Sequence, residues 1–223
     1  NTQLARLNNQ IIKCNKCIRL KNFREKISKN KRKEFINEVY WGKPVTGFGD
    51  VDGKLLFVGL APAAHGGTRT GRVFTGDRSS EFLYKCLYRA KLSNQPSSKH
   101  KNDGLKIKKA FITTALKCVP PKDKPLKKEL NNCFKFFKQE INSLKNMRII
   151  IALGKIAFDA CVYYYKSNLN FNEKINFKHG KIYKITKNIR LIGCYHPSPR
   201  NVNTGRINEK MMTNLFLKAK KLV

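Results

Sequence analysis

The least ordinary stretch of this 223-residue chain reads Gly59-Leu60-Ala61-Pro62-Ala63-Ala64-His65-Gly66-Gly67-Thr68-Arg69-Thr70-Gly71-Arg72-Val73-Phe74-Thr75-Gly76-Asp77. Glycines at this density let a backbone approach a ligand closely, and the arginines can meet phosphate. Phe74 offers a stacking face and Asp77 a carboxylate beside it, a combination suited to a flat heterocycle. The plainer alternative is a glycine-rich surface loop around one buried aromatic. A second stretch reads His196-Pro197-Ser198-Pro199-Arg200-Asn201-Val202-Asn203-Thr204-Gly205-Arg206. Its prolines fix the backbone just after the histidine and so hold the imidazole in place. A lone histidine at a strand end is more often structural than catalytic, but the proline frame and the glycine-rich partner loop reverse that preference.

A third set of chemical groups is thiol. Cys14 and Cys17 form a C-x2-C pair, and Cys118 and Cys133 lie far downstream. A close pair can ligate one metal centre from a single turn, and two distant thiolates complete four ligands, which zinc or an iron-sulfur cluster would satisfy. Buried free thiols are the competing reading. Cys86, Cys161 and Cys194 sit inside apolar patterns and belong to the core on this reading.

The elements that must position these groups alternate. Four apolar runs, Leu55 to Leu60, Ala110 to Leu116, Arg148 to Leu153 and Arg190 to Tyr195, read as core strands. Helical spacing covers Glu81 to Leu92, Lys128 to Leu144, Lys155 to Tyr165 and Glu209 to Val223, while Ser93 to Gly104 and Ser167 to Gly180 read as surface loops. Alternation predicts one α/β domain over residues 1–223, with a mostly parallel four-stranded sheet and helices on both faces. Ligands then bind at the carboxyl ends of the strands, where the two unusual loops emerge.

Lys and Arg number 47 against 14 Asp and Glu, a net charge of +33 spread along the chain. Such a surface releases condensed counterions from a polyanion, so nucleic acid is the expected partner; a Lys, Asn and Ile bias from an AT-rich genome is the alternative. No run approaches the roughly 18 apolar residues of a spanning helix, so the chain reads as soluble and without a membrane partner. Seven cysteines without secretory marks favour a reducing compartment. Asn1 is not a methionine, so a removed targeting segment, organellar ones included, stays open.

Together these segments resemble the uracil-DNA glycosylase superfamily, and most closely its family 5, the type with a 4Fe-4S cluster. The likeness covers the first loop, Lys117-Cys118-Val119-Pro120-Pro121, Leu153-Gly154-Lys155-Ile156-Ala157-Phe158, the histidine loop and the cysteine pair. The resemblance implies a DNA repair enzyme that hydrolyses uracil, and with it hypoxanthine or other deaminated bases, off DNA to leave an abasic site. It implies that Cys14, Cys17, Cys118 and Cys133 hold the cluster, that Phe74 stacks on the extruded base, that His196 contacts the base carbonyl and that Asp77 is the catalytic carboxylate. Ala63, Ala64, His65, Thr114 and Asn201 are expected around the base, and Arg72, Lys155, Arg200 and Arg206 on DNA. Other glycosylase families place a polar residue where this chain has Ala63 and Ala64, and often an asparagine at Thr113 or Thr114. A hydroxyl discriminates less than a bidentate amide, which suits a broad substrate range. A monomer is expected, cytoplasmic and nucleoid-associated in a bacterium. The rival from another class is a non-catalytic nucleic-acid-binding module with a structural zinc site, which leaves both loops idle.

Overall fold

The computed structural model describes residues 2–169 and 171–223. Two helices open the chain, α1 (Thr2–Ile12) and α2 (Ile18–Lys29), and the strands β1 (Phe48–Gly49) and β2 (Leu55–Gly59) follow. Next come the short α3 (Gly67–Thr70), α4 (Arg78–Arg89), β3 (Ala110–Thr114), α5 (Lys127–Ser143), β4 (Ile149–Leu153) and α6 (Lys155–Leu169). The chain closes with β5 (Ile182–Lys184), β6 (Arg190–Cys194), α7 (Pro199–Asn203) and α8 (Glu209–Lys221).

The strands form one sheet in the order β1-β3-β2-β4-β6-β5. The central four are parallel, as the apolar runs predict. They are apolar at nearly every position because helices cover both faces. Alternate residues serve alternate cores. Leu55, Phe57, Ile112, Ile151 and Ile192 face one side, with Leu83, Leu87, Met212 and Phe216 of α4 and α8. Leu56, Val58, Phe111, Ile150 and Leu191 face the other, with Leu7, Ile11, Phe137, Ile141 and Phe158 of α1, α5 and α6.

The expected four-stranded sheet has six strands. β1 pairs antiparallel with β3 at one edge, and β5 pairs antiparallel with β6 at the other. These edge strands span two and three residues, too short to display a period of two, and tertiary pairing alone creates them.

A buried ion pair ties the end of β3 to α5. Lys117 and Glu140 are both almost fully enclosed, and the Lys117 ammonium also donates to Thr113 Oγ1 at 2.7 Å and to the Thr114 carbonyl at 2.8 Å. Thr113 Oγ1 and the Gly47 N–H donate to the Glu140 carboxylate. These contacts give the polar atoms of the enclosed pair their hydrogen-bond partners.

Arg72 corrects an expectation. Read as a phosphate contact, it lies inside the protein with 4% of its surface exposed. Its Nη2 sits 2.8 Å from each Asp103 carboxylate oxygen and 2.9 Å from Ser98 Oγ, and its Nε donates to Thr75 Oγ1 at 2.9 Å. The Ser93 to Gly104 stretch is the surface loop expected, with most of its residues exposed, and it turns Ser98 and Asp103 inward to hold this arginine. Arg72→Ala leaves Asp103 buried without its partner and is expected to cost about 3–5 kcal/mol of stability in urea unfolding. A loss below about 1 kcal/mol would mean that the arginine does not organise the loop.

Candidate active site

All four parallel strands deliver residues to one cavity at their carboxyl ends. It has a volume of about 360 Å³, within the usual range of roughly 300–1,000 Å³ for small-molecule pockets. Leu60, Ala61, Ala63, Phe74, Asp77 and Ser79 come from the segment after β2, and Asp123 from the segment after β3. Leu153, Gly154, Lys155, Ile156 and Ala157 follow β4, and His196, Ser198 and Pro199 follow β6.

Phe74 and His196 face each other across this space, with ring centroids 6.0 Å apart and planes inclined by 33°. Phe74 adopts φ of +46°, a left-handed conformation that is strained for a bulky residue and persists only where its surroundings enforce it. Its ring lies over the end of β2, where a Cβ on Gly59 would come within 2.7 Å of the Phe74 ring. Only glycine at 59 lets the aromatic wall close down on the sheet.

Asp77 has two tasks. Its Oδ1 accepts the Ser80 N–H at 2.9 Å while Ser80 Oγ accepts the Asp77 N–H at 3.0 Å, the capping box that starts α4. Its other oxygen, Oδ2, packs so closely against Gly66 that a Cβ there would meet it at 2.0 Å. Burial is the main cause that pushes the Asp77 carboxyl above the usual range, opposed by the N–H groups of Ser80 and Ser79. Burial likewise pushes the His196 imidazole down to about 4, so at neutral pH it is uncharged and can donate a single N–H.

The other expected site residues divide. Ala64 and His65 line a wider adjoining groove of about 680 Å³, which shares Ala63, Asp77, Ser79, Asp123 and Pro199 with the cavity. His65 is held there by Tyr40, its Nδ1 lying 2.8 Å from the phenol oxygen. Thr114 is enclosed behind the Gly59 and Phe74 wall, its Oγ1 without a hydrogen-bond partner among the described residues. Asn201 turns inward, donating from Nδ2 to the His196 carbonyl at 2.9 Å, and so braces the histidine loop. Lys155, at the cavity edge, pairs with Asp159 at 2.5 Å, and Arg206 lies over the Tyr195 ring. Arg200 and Arg206 are exposed.

Asp123 was missed by sequence reading. It follows Pro120-Pro121 in a 3₁₀ turn, and both Lys122 and Asp123 have left-handed backbone, φ +54° and +55°. The available signal was a carboxylate just beyond a strand end in a chain with 14 acidic residues in all.

The four candidate ligand cysteines meet at one small cavity between α2, α5 and the segment after β3, walled by Leu20, Pro44, Leu116 and Phe136. N–H groups approach three of the sulfurs: Lys117 N lies 3.2 Å from Cys133 Sγ, Asn132 Nδ2 3.5 Å from Cys17 Sγ and Arg24 Nη1 3.7 Å from Cys118 Sγ. Among the described residues no group of three or more His, Cys, Asp or Glu is set to hold a single metal ion. Four thiols around one small cavity, with N–H groups near three of the sulfurs, form a donor set that could hold a thiolate-ligated centre. Cys86, Cys161 and Cys194 are buried in the core, as expected.

The family model of the uracil DNA glycosylase superfamily matches residues 46–220. A type-5 uracil-DNA glycosylase of Mycobacterium leprae is 41% identical over 98% of this chain and 95% of its own length. One from Thermus thermophilus is 39% identical over 94% of this chain and 93% of its own. A type-4 uracil-DNA glycosylase of Archaeoglobus fulgidus is 26% identical over 69% of this chain. With its strand-end cavity, its facing Phe74 and His196 and this likeness along nearly its whole length, the chain belongs to the uracil-DNA glycosylase superfamily.

Proposed function

We propose that this protein is a monofunctional uracil-DNA glycosylase of DNA repair, hydrolysing the N-glycosidic bond of uracil in DNA to leave an abasic site. The observation that carries the reading is the pairing of Phe74 and His196 across a cavity that also holds the Asp77 carboxylate. Excision requires access to C1′ of the sugar, so the nucleotide leaves the stack and its base enters a fitted pocket. Phe74 supplies one wall. As the bond lengthens, negative charge gathers on the base and positive charge on the sugar. The uncharged His196 imidazole donates an N–H to the base oxygen, and Asp77 Oδ2 orients water or stabilises the sugar cation, with Asp123 as a second carboxylate at the same lip.

Among the described residues the cavity is lined by one amine, Lys155, which pairs with Asp159, while Lys117 is enclosed with Glu140. Simple hydrolysis follows, without strand cleavage. The small side chains Ala61 and Ala63 leave room for a larger ring, which supports a range extending to hypoxanthine and other deaminated bases. The net charge of +33 suits a monomer that grips duplex phosphates at the chromosome.

The same reading gives Cys14, Cys17, Cys118 and Cys133 a 4Fe-4S cluster, which when bound supplies a structural tie between the amino-terminal helices and the segment leading to Asp123. Cys118→Ser should lower brown colour and folded yield together. A colourless variant with unchanged melting temperature and activity would remove the cluster from this account.

On a uracil-containing duplex under single-turnover conditions, His196→Ala should lose about 10² to 10³ in rate. Asp77→Asn, which still caps α4, should melt like the parent yet lose about 10² to 10⁴. Because burial raises the Asp77 carboxyl and depresses His196 to about 4, activity should fall as acid passes through a value above the ordinary carboxylate range, with no step near the ordinary histidine value. Retention of rate within threefold in Asp77→Asn, or a step near 6.5 that His196→Gln abolishes, would exclude these roles.

A further inference from the structure

The wide groove beside the cavity is bounded on its outer side by a segment that the excision chemistry leaves unused. Residues 29–39 read Lys29-Asn30-Lys31-Arg32-Lys33-Glu34-Phe35-Ile36-Asn37-Glu38-Val39. Arg32, Glu34 and Phe35 line the groove opposite Ala63, Ala64, His65 and Gly66. The segment is fastened to the first loop through Arg69, whose guanidinium lies 3.7 Å from the Phe35 ring centre and pairs with Glu38 at 2.5 Å. Arg69 also donates to the His65 and Gly76 carbonyls at 2.7 and 2.9 Å, so one enclosed arginine holds groove wall and cavity wall at a fixed spacing.

What this segment presents outward is unusual for a part with so few core contacts. Val39 is 94% exposed and Ile36 57% exposed. Lys29, Arg32 and Lys33 are exposed beside them, Arg32 lying 3.7 Å from the equally exposed Glu34, and Lys31 is half-buried, donating to the Ile36 carbonyl at 3.3 Å. Aliphatic side chains next to a cationic run match the sugar edge and phosphates of a nucleic-acid strand. The groove is continuous with the cavity, sharing Ala63, Asp77, Ser79, Asp123 and Pro199 with it, so it offers a path for the strand beside a nucleotide held there.

We infer that residues 29–39 form a second DNA-contacting element, in which Lys31, Arg32 and Lys33 neutralise phosphates of the damaged strand adjacent to the extruded nucleotide while Ile36 and Val39 bear on the neighbouring sugars. This deepens the glycosylase reading and rests on it for the identity of the nucleotide in the cavity. The element is separate from the histidine loop, which reaches the cavity from β6.

The test measures equilibrium binding to a short duplex carrying a tetrahydrofuran abasic analogue, across a range of salt. The triple variant Lys31→Ala, Arg32→Ala, Lys33→Ala should make the slope of log affinity against log salt shallower by about 2 to 3, since each phosphate contact contributes about 0.9. Lys145→Ala, Lys166→Ala, Lys187→Ala, three exposed lysines at the opposite end of the sheet, should leave the slope within about 0.5 of the parent on the same scale. Val39→Ser should weaken binding several-fold with no change in slope. An unchanged slope in the first triple variant, with its melting temperature intact, overturns the inference, and so does an equal loss in both triples. Uracil excision by the unmodified protein is scored separately. If it is absent while the slope still flattens, the glycosylase reading fails and the DNA contact stands; if it is present and the slope holds, the contact fails alone.

Discussion

The ring of Phe74 rests directly on Gly59, at the last residue of β2, and that contact sets how closely the aromatic wall of the cavity approaches the sheet. A side chain at 59 would lift the ring off the sheet, since even a Cβ would stand 2.7 Å from it. The backbone accepts a left-handed Phe74 in order to bring the ring down, a local cost of roughly 1–3 kcal/mol. Arg72, two residues earlier, offsets it: its hydrogen bonds to Thr75, Ser98 and Asp103 lock the loop from beneath. Strain at the cavity is thus matched by a buried ionic cradle behind it.

A second close contact, Gly66 on Asp77, sets the electrostatics. The capping box uses one carboxylate oxygen and leaves the other against a backbone with no side chain to cover it. Removed from water, both Asp77 and His196 drift toward their neutral forms, the carboxyl upward and the imidazole downward. A neutral imidazole can donate to a departing base without a full positive charge facing the sugar cation. These are the demands of a bond that breaks heterolytically in a partly enclosed pocket.

Much of this was legible in the chain. The parallel strands were visible because each is apolar on both faces, and the two loops were visible because glycine and proline appear there at positions dictated by close approach. The four cysteines were grouped by one short spacing and two outlying thiols, and they do share a cavity. Besides Asp123, three things were hidden. β1 and β5 exist only as partners of longer strands, so they leave no periodic trace. Arg72 looked like a phosphate ligand because its true partner, Asp103, lies 31 residues away in a stretch whose Ser, Asn and Lys content suggested solvent. Asn201 was expected around the base, but its amide donor turns back to the His196 carbonyl; side-chain direction within a turn is not written in residue type.

The central claim is that His196 stabilises the base as it departs with negative charge, inside a cavity walled by Phe74. The most direct measurement compares single-turnover excision of 5-fluorouracil, a more acidic leaving group, with excision of uracil, in the unmodified protein and in His196→Ala. The preference for 5-fluorouracil should rise several-fold in the variant, because the reaction then leans on the intrinsic stability of the departing anion. An identical preference in both proteins would contradict it.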